Sequence, residues 1–352
     1  MWKGSNPFKK QHFSSSETLQ KSPSAIMTWI DWNVGSQGTV KAYPNFNAAA
    51  DAEALENAMK GKGCDEKVVM DILCLRSNSQ RQQIKRAYRS KYGKELAKEL
   101  TKELKSDFEN FILALLYPPD ELDAAELRKA MQGLGTKEHV LIEIMCSRTP
   151  EEIQSAKYAY RHLYARDLKE DIAGDTSGDF RRLLVALCKA DRDRSWRMDH
   201  VRAANDAQTL YKAGEGKLGT DEAKFIDILT SQNFAQLQML FQEYEKLKGH
   251  DLETAISKEF SGDVGKGLDA IVKCVKNRPT YFAERLHAAM KGMGADEDTL
   301  TRIIVSRSEK DLKEVAAEYQ RLQNKTLENA IESETSGKFK EGLAVLARGA
   351  FN

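Results

Sequence analysis

Met131-Gln132-Gly133-Leu134-Gly135, read together with Gly174-Asp175-Thr176-Ser177-Gly178, decides the fold, because Asp175 lies 40 residues after Gly135 and the chain repeats this pair. The other copies of the loop are Met59-Lys60-Gly61-Lys62-Gly63, Gly214-Glu215-Gly216-Lys217-Leu218-Gly219 and Met290-Lys291-Gly292-Met293-Gly294. Their carboxylates, at the same offset of 40, are Glu103, Glu259 and Glu334. The acids of copies three and four sit in Glu259-Phe260-Ser261-Gly262 and Glu334-Thr335-Ser336-Gly337, whereas copy one has Glu103-Leu104-Lys105-Ser106. A turn alone needs no acid at a fixed distance, so a fourfold repeat with a fixed internal spacing predicts both the architecture and the chemistry.

The second glycines fall at 63, 135, 219 and 294, giving steps of 72, 84 and 75 residues. The long middle step predicts a linker at 191–205. The units that follow are a tail at 1–46 and repeats at 47–118, 119–190, 206–277 and 278–352. Fourteen residues after each second glycine a helix-start signal recurs: Ser77…Gln80, Thr149…Glu152, Asn233…Gln236 and Ser308…Asp311. Pro150 takes the first helical position, where its missing N–H costs nothing. Leu127, Ala130, Met131 and Leu134 are spaced for a helix face, as are Leu141, Ile144 and Met145. Each repeat therefore reads as four or five helices and no strand, and the fold class is all-α. A unit of about 70 residues makes a marginal core, so neighbouring repeats are expected to pack together.

Composition bounds the function. Formal net charge is +1, which predicts no nucleic-acid partner. Residues 1–46 carry five Lys against Glu17 and Asp31. Five cysteines without close pairing predict a reducing compartment and no disulfide scaffold. The longest strongly apolar run, Phe111 to Tyr117, falls far short of the roughly 20 residues that span a bilayer. No secretory h-region is visible. The expectation is a cytoplasmic chain whose membrane contact is peripheral; export without a signal peptide stays open. Trp29, Ile30 and Trp32 interrupt a polar tail, and two readings stand: they dock on the core or they anchor a protein partner.

Glycine adopts positive φ without steric cost, so paired glycines let a short loop turn its carbonyl oxygens inward. Carbonyls and one bidentate carboxylate are the hard oxygen donors that Ca²⁺ takes in shells of about 6–8. One carboxylate leaves such a site positive and incomplete. It should bind weakly alone and better when an anionic oxygen, such as a lipid phosphate, fills the open positions. Thr136 and Thr220 read as N-caps of the next helix, with Cys64 and Ala295 as poor substitutes. Asp65, Glu66, Asp221, Glu222, Asp296 and Glu297 then fall in first helical turns, where they compensate the helix dipole; a second, weaker calcium there is the other reading. Cys64 beside a loop raises a redox-sensitive site as an alternative.

These residues closely resemble the annexin family over about residues 47–350. The resemblance rests on Ala58-Met59-Lys60-Gly61-x-Gly63, Ser147-Arg148-Thr149-Pro150-Glu151-Glu152, Gly174-Asp175-Thr176-Ser177-Gly178 and Gly219-Thr220-Asp221-Glu222. It implies a curved all-α disc of four five-helix repeats, with calcium loops on the convex face and the tail on the concave side. It also implies calcium-dependent docking on acidic, phosphatidylserine-like phospholipid, with self-association on membranes as a further expectation. Carried over by position, the calcium ligands would be the carbonyls of Met59, Gly61 and Gly63 with Glu103, and those of Met131, Gly133 and Gly135 with Asp175. The third set would be Gly214, Lys217 and Gly219 with Glu259; the fourth, Met290, Gly292 and Gly294 with Glu334. Three departures stand out: Cys64 where the family often has Thr, Lys105-Ser106 where it often has Thr-Gly, and Gln232 where Arg76, Arg148 and Arg307 stand in the other repeats.

Two other function classes compete. A helical-repeat scaffold would need no acid at a 40-residue offset. An enzyme would need a nucleophile elbow, a P-loop or an H-x-x-x-H motif, and none appears, so catalysis is not expected. Nor does an EF-hand loop.

Overall fold

The computed structural model describes residues 37–349 apart from 62 and 293. The tail segment with Trp29, Ile30 and Trp32 lies outside these residues. The described chain is helical, without a strand. Repeat one forms α1 (Ala48–Ala58), α2 (Glu66–Leu73), α3 (Asn78–Tyr92), α4 (Leu96–Glu103) and α5 (Ser106–Leu116). Repeat two forms α6 (Pro119–Ala130), α7 (Glu138–Ser147), α8 (Pro150–Tyr164), α9 (Leu168–Asp175) and α10 (Gly178–Cys188). After 191–199, which are not helical, come α11 (His200–Ala213), α12 (Glu222–Ser231), α13 (Phe234–Lys248), α14 (Leu252–Glu259) and α15 (Gly262–Met290). Repeat four continues with α16 (Glu297–Arg307), α17 (Leu312–Gln323), α18 (Leu327–Glu334) and α19 (Gly337–Arg348). Helix α15 serves two repeats. It breaks at Asn277 (φ −161°, ψ 94°), two residues before Pro279, whose ring cannot continue an unbroken helix.

The capping signals hold in part. Ser77 with Gln80 and Thr149 with Glu152 form complete capping boxes. Asn233 caps α13, but the Gln236 side chain turns to the linker, accepting from the Asp199 N–H at 2.7 Å and donating to its carbonyl at 2.9 Å. The fourth signal fails: Ser308 closes α16, and Asp311 makes no cap. Its carboxylate instead accepts from Arg307 Nε and Nη2, both at 2.6 Å.

That failure follows from one substitution in the repeat. Eight residues before the first loop residue stand Asp51 and Asp123, which pair with Arg76 and Arg148 at 2.7 Å. The corresponding residue of repeat four is Phe282. Arg307 therefore stacks on the Phe282 ring at 4.7 Å and takes Asp311 as its counterion. In repeat three the pair is neutralised differently, with Gln232 Nε2 donating to Asp206 at 2.7 Å.

The repeats pack as two modules. A Cβ on Gly342 would lie 2.5 Å from the Phe111 ring, and a Cβ on Gly267 would lie 2.5 Å from Leu183. All four residues stand 48 positions after their own second glycine, so repeat four packs on one and repeat three on two through the same close approach. Between modules, fully buried Glu143 of α7 accepts from Arg302 of α16 at 2.7 and 2.9 Å. The ends of the described chain also meet, with no room for a side chain on Gly349 beside the Thr39 carbonyl.

Helix polarity separates two faces. Helix α11 runs from the linker to loop three, and α12 runs back from that loop to Ser231, whose carbonyl accepts from Asp193 of the linker at 2.8 Å. Helix α10 likewise starts after Asp175 and ends at the linker. At the other module, Val40 donates to Ser308 at the far end of α16, and Tyr43 exchanges two hydrogen bonds with Gln80. The glycine loops thus share one face, and segments 37–46 and 191–199 lie on the other.

Candidate calcium loops

Each loop is pinched by the same backbone bond. Asp65 donates to Ala58 (2.8 Å), Lys137 to Ala130 (2.9 Å), Asp221 to Ala213 (2.7 Å) and Asp296 to Ala289 (2.8 Å). In loops one, two and four both glycines have positive φ: +124° and +100° at Gly61 and Gly63, +101° and +87° at Gly133 and Gly135, +129° and +96° at Gly292 and Gly294. Consecutive reversals of this kind need glycine. Loop three differs. It is one residue longer, and only Gly219 has positive φ, at +79°. Space is short instead: a Cβ on Gly214 would crowd Glu259 Cγ at 3.2 Å and Phe225 at 3.3 Å, and one on Gly216 would lie 2.8 Å from the Tyr211 carbonyl oxygen.

The acids occupy one structural position. Glu103, Asp175, Glu259 and Glu334 are each the last residue of a short helix, and the chain then turns extended. The following helix opens with a left-handed residue: Gly178 (+58°), Gly262 (+64°) and Gly337 (+61°), and Ser106 (+60°) in repeat one. The Lys105-Ser106 departure therefore keeps the geometry and bears the strain of a side chain in that region.

The structure brings acid and loop together most directly in repeats two and three. Thr136 Oγ1 donates to Asp175 Oδ2 at 2.6 Å, and Thr220 Oγ1 to Glu259 Oε2 at 2.9 Å. Neither threonine is an N-cap. The caps are Asp65, Asp221 and Asp296, whose carboxylates accept from backbone N–H groups of α2, α12 and α16. Those three aspartates thus precede the first turn. In repeat two Lys137 holds the cap position and makes no side-chain capping bond. In repeat one Cys64 replaces the threonine; burial, then Glu103, pushes its thiol up to about 11, away from the thiolate that redox sensing needs. In repeat four Glu334 accepts from its neighbour Ser333 at 3.1 Å.

A buried tyrosine also recurs at one position of all four repeats. Tyr88, Tyr160, Tyr244 and Tyr319 stand 25 residues after the second glycines and are all buried. Tyr88 donates to Glu56, Tyr160 to Asp171 at 2.6 Å and Tyr244 to Glu215 at 3.0 Å. His250 and Lys258 also hold Glu215, at 3.2 and 3.5 Å, so this acid of loop three is occupied by protein partners. The recurrent tyrosine was visible in the sequence at its fixed offset. Loops two and four are tied at their edges, because Asp298 pairs with Lys129 at 2.7 Å and Lys137 at 3.4 Å.

The donor set suits a hard cation. Among the described residues no three His, Cys, Asp or Glu side chains converge as they would for zinc. A glycine loop with one carboxylate brought to it, as in repeats two and three, is instead a set of hard oxygen donors of the kind that would fit Ca²⁺.

A four-repeat helical protein with one glycine loop and one helix-terminal acid per repeat is the class this arrangement defines. The Annexin family model matches residues 50–115, 122–187, 205–271 and 281–346. The chain belongs to the annexin family. It is 48% identical to annexin A7 of Homo sapiens over 311 residues, covering 88% of this chain and 64% of that protein. It thus spans less than two thirds of the annexin A7 relatives it matches. It is 47% identical to annexin A4 of Mus musculus over 312 residues, 89% of this chain and 98% of that one. Among solved structures, annexin III superposes with a TM-score of 0.88 at 45% identity, covering 90% and 98% of the two chains. A calcium-bound structure of annexin (Sm)1 superposes with a TM-score of 0.82 at 30% identity, covering 95% and 99%.

Proposed function

We propose that the protein docks peripherally and reversibly on acidic phospholipid membranes when calcium rises. The observation that carries this reading is the pinched glycine loop with a helix-terminal acid 40 residues on, four times on one face, with a hydroxyl holding the acid to the loop in repeats two and three. The residues that would hold calcium are Met59, Gly61, Gly63 and Glu103; Met131, Gly133, Gly135 and Asp175; Gly214, Lys217, Gly219 and Glu259; and Met290, Gly292, Gly294 and Glu334. Bound calcium would supply positive charge with open positions for lipid phosphate oxygens. The chain's own part is to hold the carbonyls inward, fix the acid and present four weak contacts together, which then reinforce one another by effective concentration.

Two loop residues support a lipid partner. Leu134 and Leu218, between or beside the glycines, are fully exposed. A leucine in contact with acyl chains instead of water gains about 1.5–3 kcal/mol, so these tips favour insertion at a membrane surface. No helix among the described residues is long and apolar enough to cross a membrane.

The test is co-sedimentation with phosphatidylserine vesicles across a calcium titration, with EGTA reversal. Pelleting that appears with calcium and reverses with EGTA is expected. Protein that stays in the supernatant at millimolar calcium would refute the reading.

A further inference from the structure

In three repeats the residue two places after the second glycine is an aspartate, Asp65, Asp221 or Asp296, and each caps the helix that leaves its loop. Repeat two has Lys137 there, and a second lysine, Lys129, stands two places before Met131. A loop read as a cation site is thus flanked by two cations and lacks the acid that its counterparts own. An acid reaches it from the other module. Asp298 of α16 accepts from Lys129 Nζ at 2.7 Å through one carboxylate oxygen and from Lys137 Nζ at 3.4 Å through the other.

The contact is prepared by buried pairs. One turn further along α16, Arg302 donates to Glu126 of α6 at 3.3 Å and to Glu143 of α7 at 2.7 and 2.9 Å. Helix α6 leads into loop two and α7 leads out of it. Those bonds fix α16 against both helices, so Asp298 is delivered to the loop edge with little freedom left to lose. Burial would raise the Asp298 carboxyl, but Lys129 and then Lys137 override it and hold it below the usual carboxylate range. The group is therefore charged at neutral pH.

We propose that Asp298 is a positioning residue for calcium at loop two, acting from repeat four. The inference rests on the calcium reading above. By gripping Lys129 and Lys137, Asp298 holds the loop on both sides of the bond from the Lys137 N–H to the Ala130 carbonyl that closes it. By neutralising the two ammonium groups, it removes the repulsion that they would exert on an incoming cation. Thr136 fixes the acid of the site from within the repeat, and Asp298 fixes the loop from outside it. Coupling between a contact and a ligand is reciprocal, so calcium in loop two tightens the grip of one module on the other.

Two measurements on the full chain test this, with the isosteric change Asp298→Asn. The first is hydrogen exchange without calcium: exchange at 131–138 should rise about threefold, the scale of a partly exposed ion pair, while loops one and three stay unchanged. The second is calcium titration by calorimetry in a chain carrying Glu103→Ala, Glu259→Ala and Glu334→Ala, where only loop two keeps its acid. Asp298→Asn should weaken binding there by about threefold, and about 1 M potassium chloride should erase the difference. With Lys129→Gln and Lys137→Asn also present, Asp298→Asn should change nothing. Unchanged exchange, unchanged affinity, or a loss that persists without the two lysines would overturn the proposal. If the three-acid variant binds no calcium before Asp298 is changed, the calcium reading of loop two fails. The exchange measurement, made without calcium, would still decide whether Asp298 holds the loop.

Discussion

Thr136 reaches across 39 residues of sequence to hold Asp175: its hydroxyl donates to the carboxylate at 2.6 Å and to the backbone carbonyl of the same residue at 3.0 Å. One side chain thus fixes both the direction of the acid and the height of the helix end that carries it. Thr220 and Glu259 repeat the relationship, while Cys64 and Ala295 stand where no hydroxyl is available. Thr136→Val should weaken calcium binding at loop two, and Cys64→Thr should strengthen it at loop one. A hydrogen bond to a carboxylate contributes about 1.5 kcal/mol, or roughly tenfold in affinity. Isothermal titration of each variant against the parent chain checks both signs.

Removing the acids themselves should have a larger effect. Asp175→Ala with Glu334→Ala is expected to raise the calcium needed for half-maximal vesicle binding by more than about tenfold, since each loop loses its only carboxylate. An unchanged calcium midpoint would sink the ligand assignment. Circular dichroism of the variant should match the parent, because both acids sit at exposed helix ends.

Ser106 carries φ +60° where three other repeats have glycine. Ser106→Gly should therefore stabilise the protein by about 1 kcal/mol, the typical penalty for an L side chain in this region. Urea denaturation reads the shift. Gly178→Ser is the reciprocal change and should destabilise by a similar amount.

The buried pair between modules sets an acid limit. Burial would raise the Glu143 carboxyl, but the Arg302 guanidinium overrides it and holds the group below the usual carboxylate range. A depressed folded pKa contributes stability that is complete above the unfolded value, near about 4.3, and is lost as pH falls through the lower folded value. Urea midpoints should drop steeply below about pH 4 in the parent chain. Glu143→Gln leaves Arg302 buried beside a neutral group; it should cost about 3 kcal/mol at neutral pH and flatten that acid dependence.

Much of this was legible in the sequence, and what was not has a common cause. The 40-residue offset announced the loops and their acids because glycine and carboxylate have few reasons to recur together. The caps Ser77 and Thr149 were legible because a capping box is local. Thr136 was misread as a cap because its real partner lies two helices away, beyond any local window. Asp311 was misread because its role depends on Phe282, a residue of another helix. The loop-closing bonds are backbone bonds and carry no residue signature. Gly214 was expected to serve a positive φ and serves a close approach instead, a distinction only the position of Glu259 reveals.

The contact between Gly349 and Thr39 gives the chain order a different standing. With both ends of the described chain touching on the face away from the loops, the connection 191–199 becomes one crossing of two, each clasped by a glutamine of the adjacent helix, Gln80 or Gln236. A circular permutant that joins position 349 to position 39 and opens at this connection is expected to keep every helix, loop and acid in place, with repeats three and four read first.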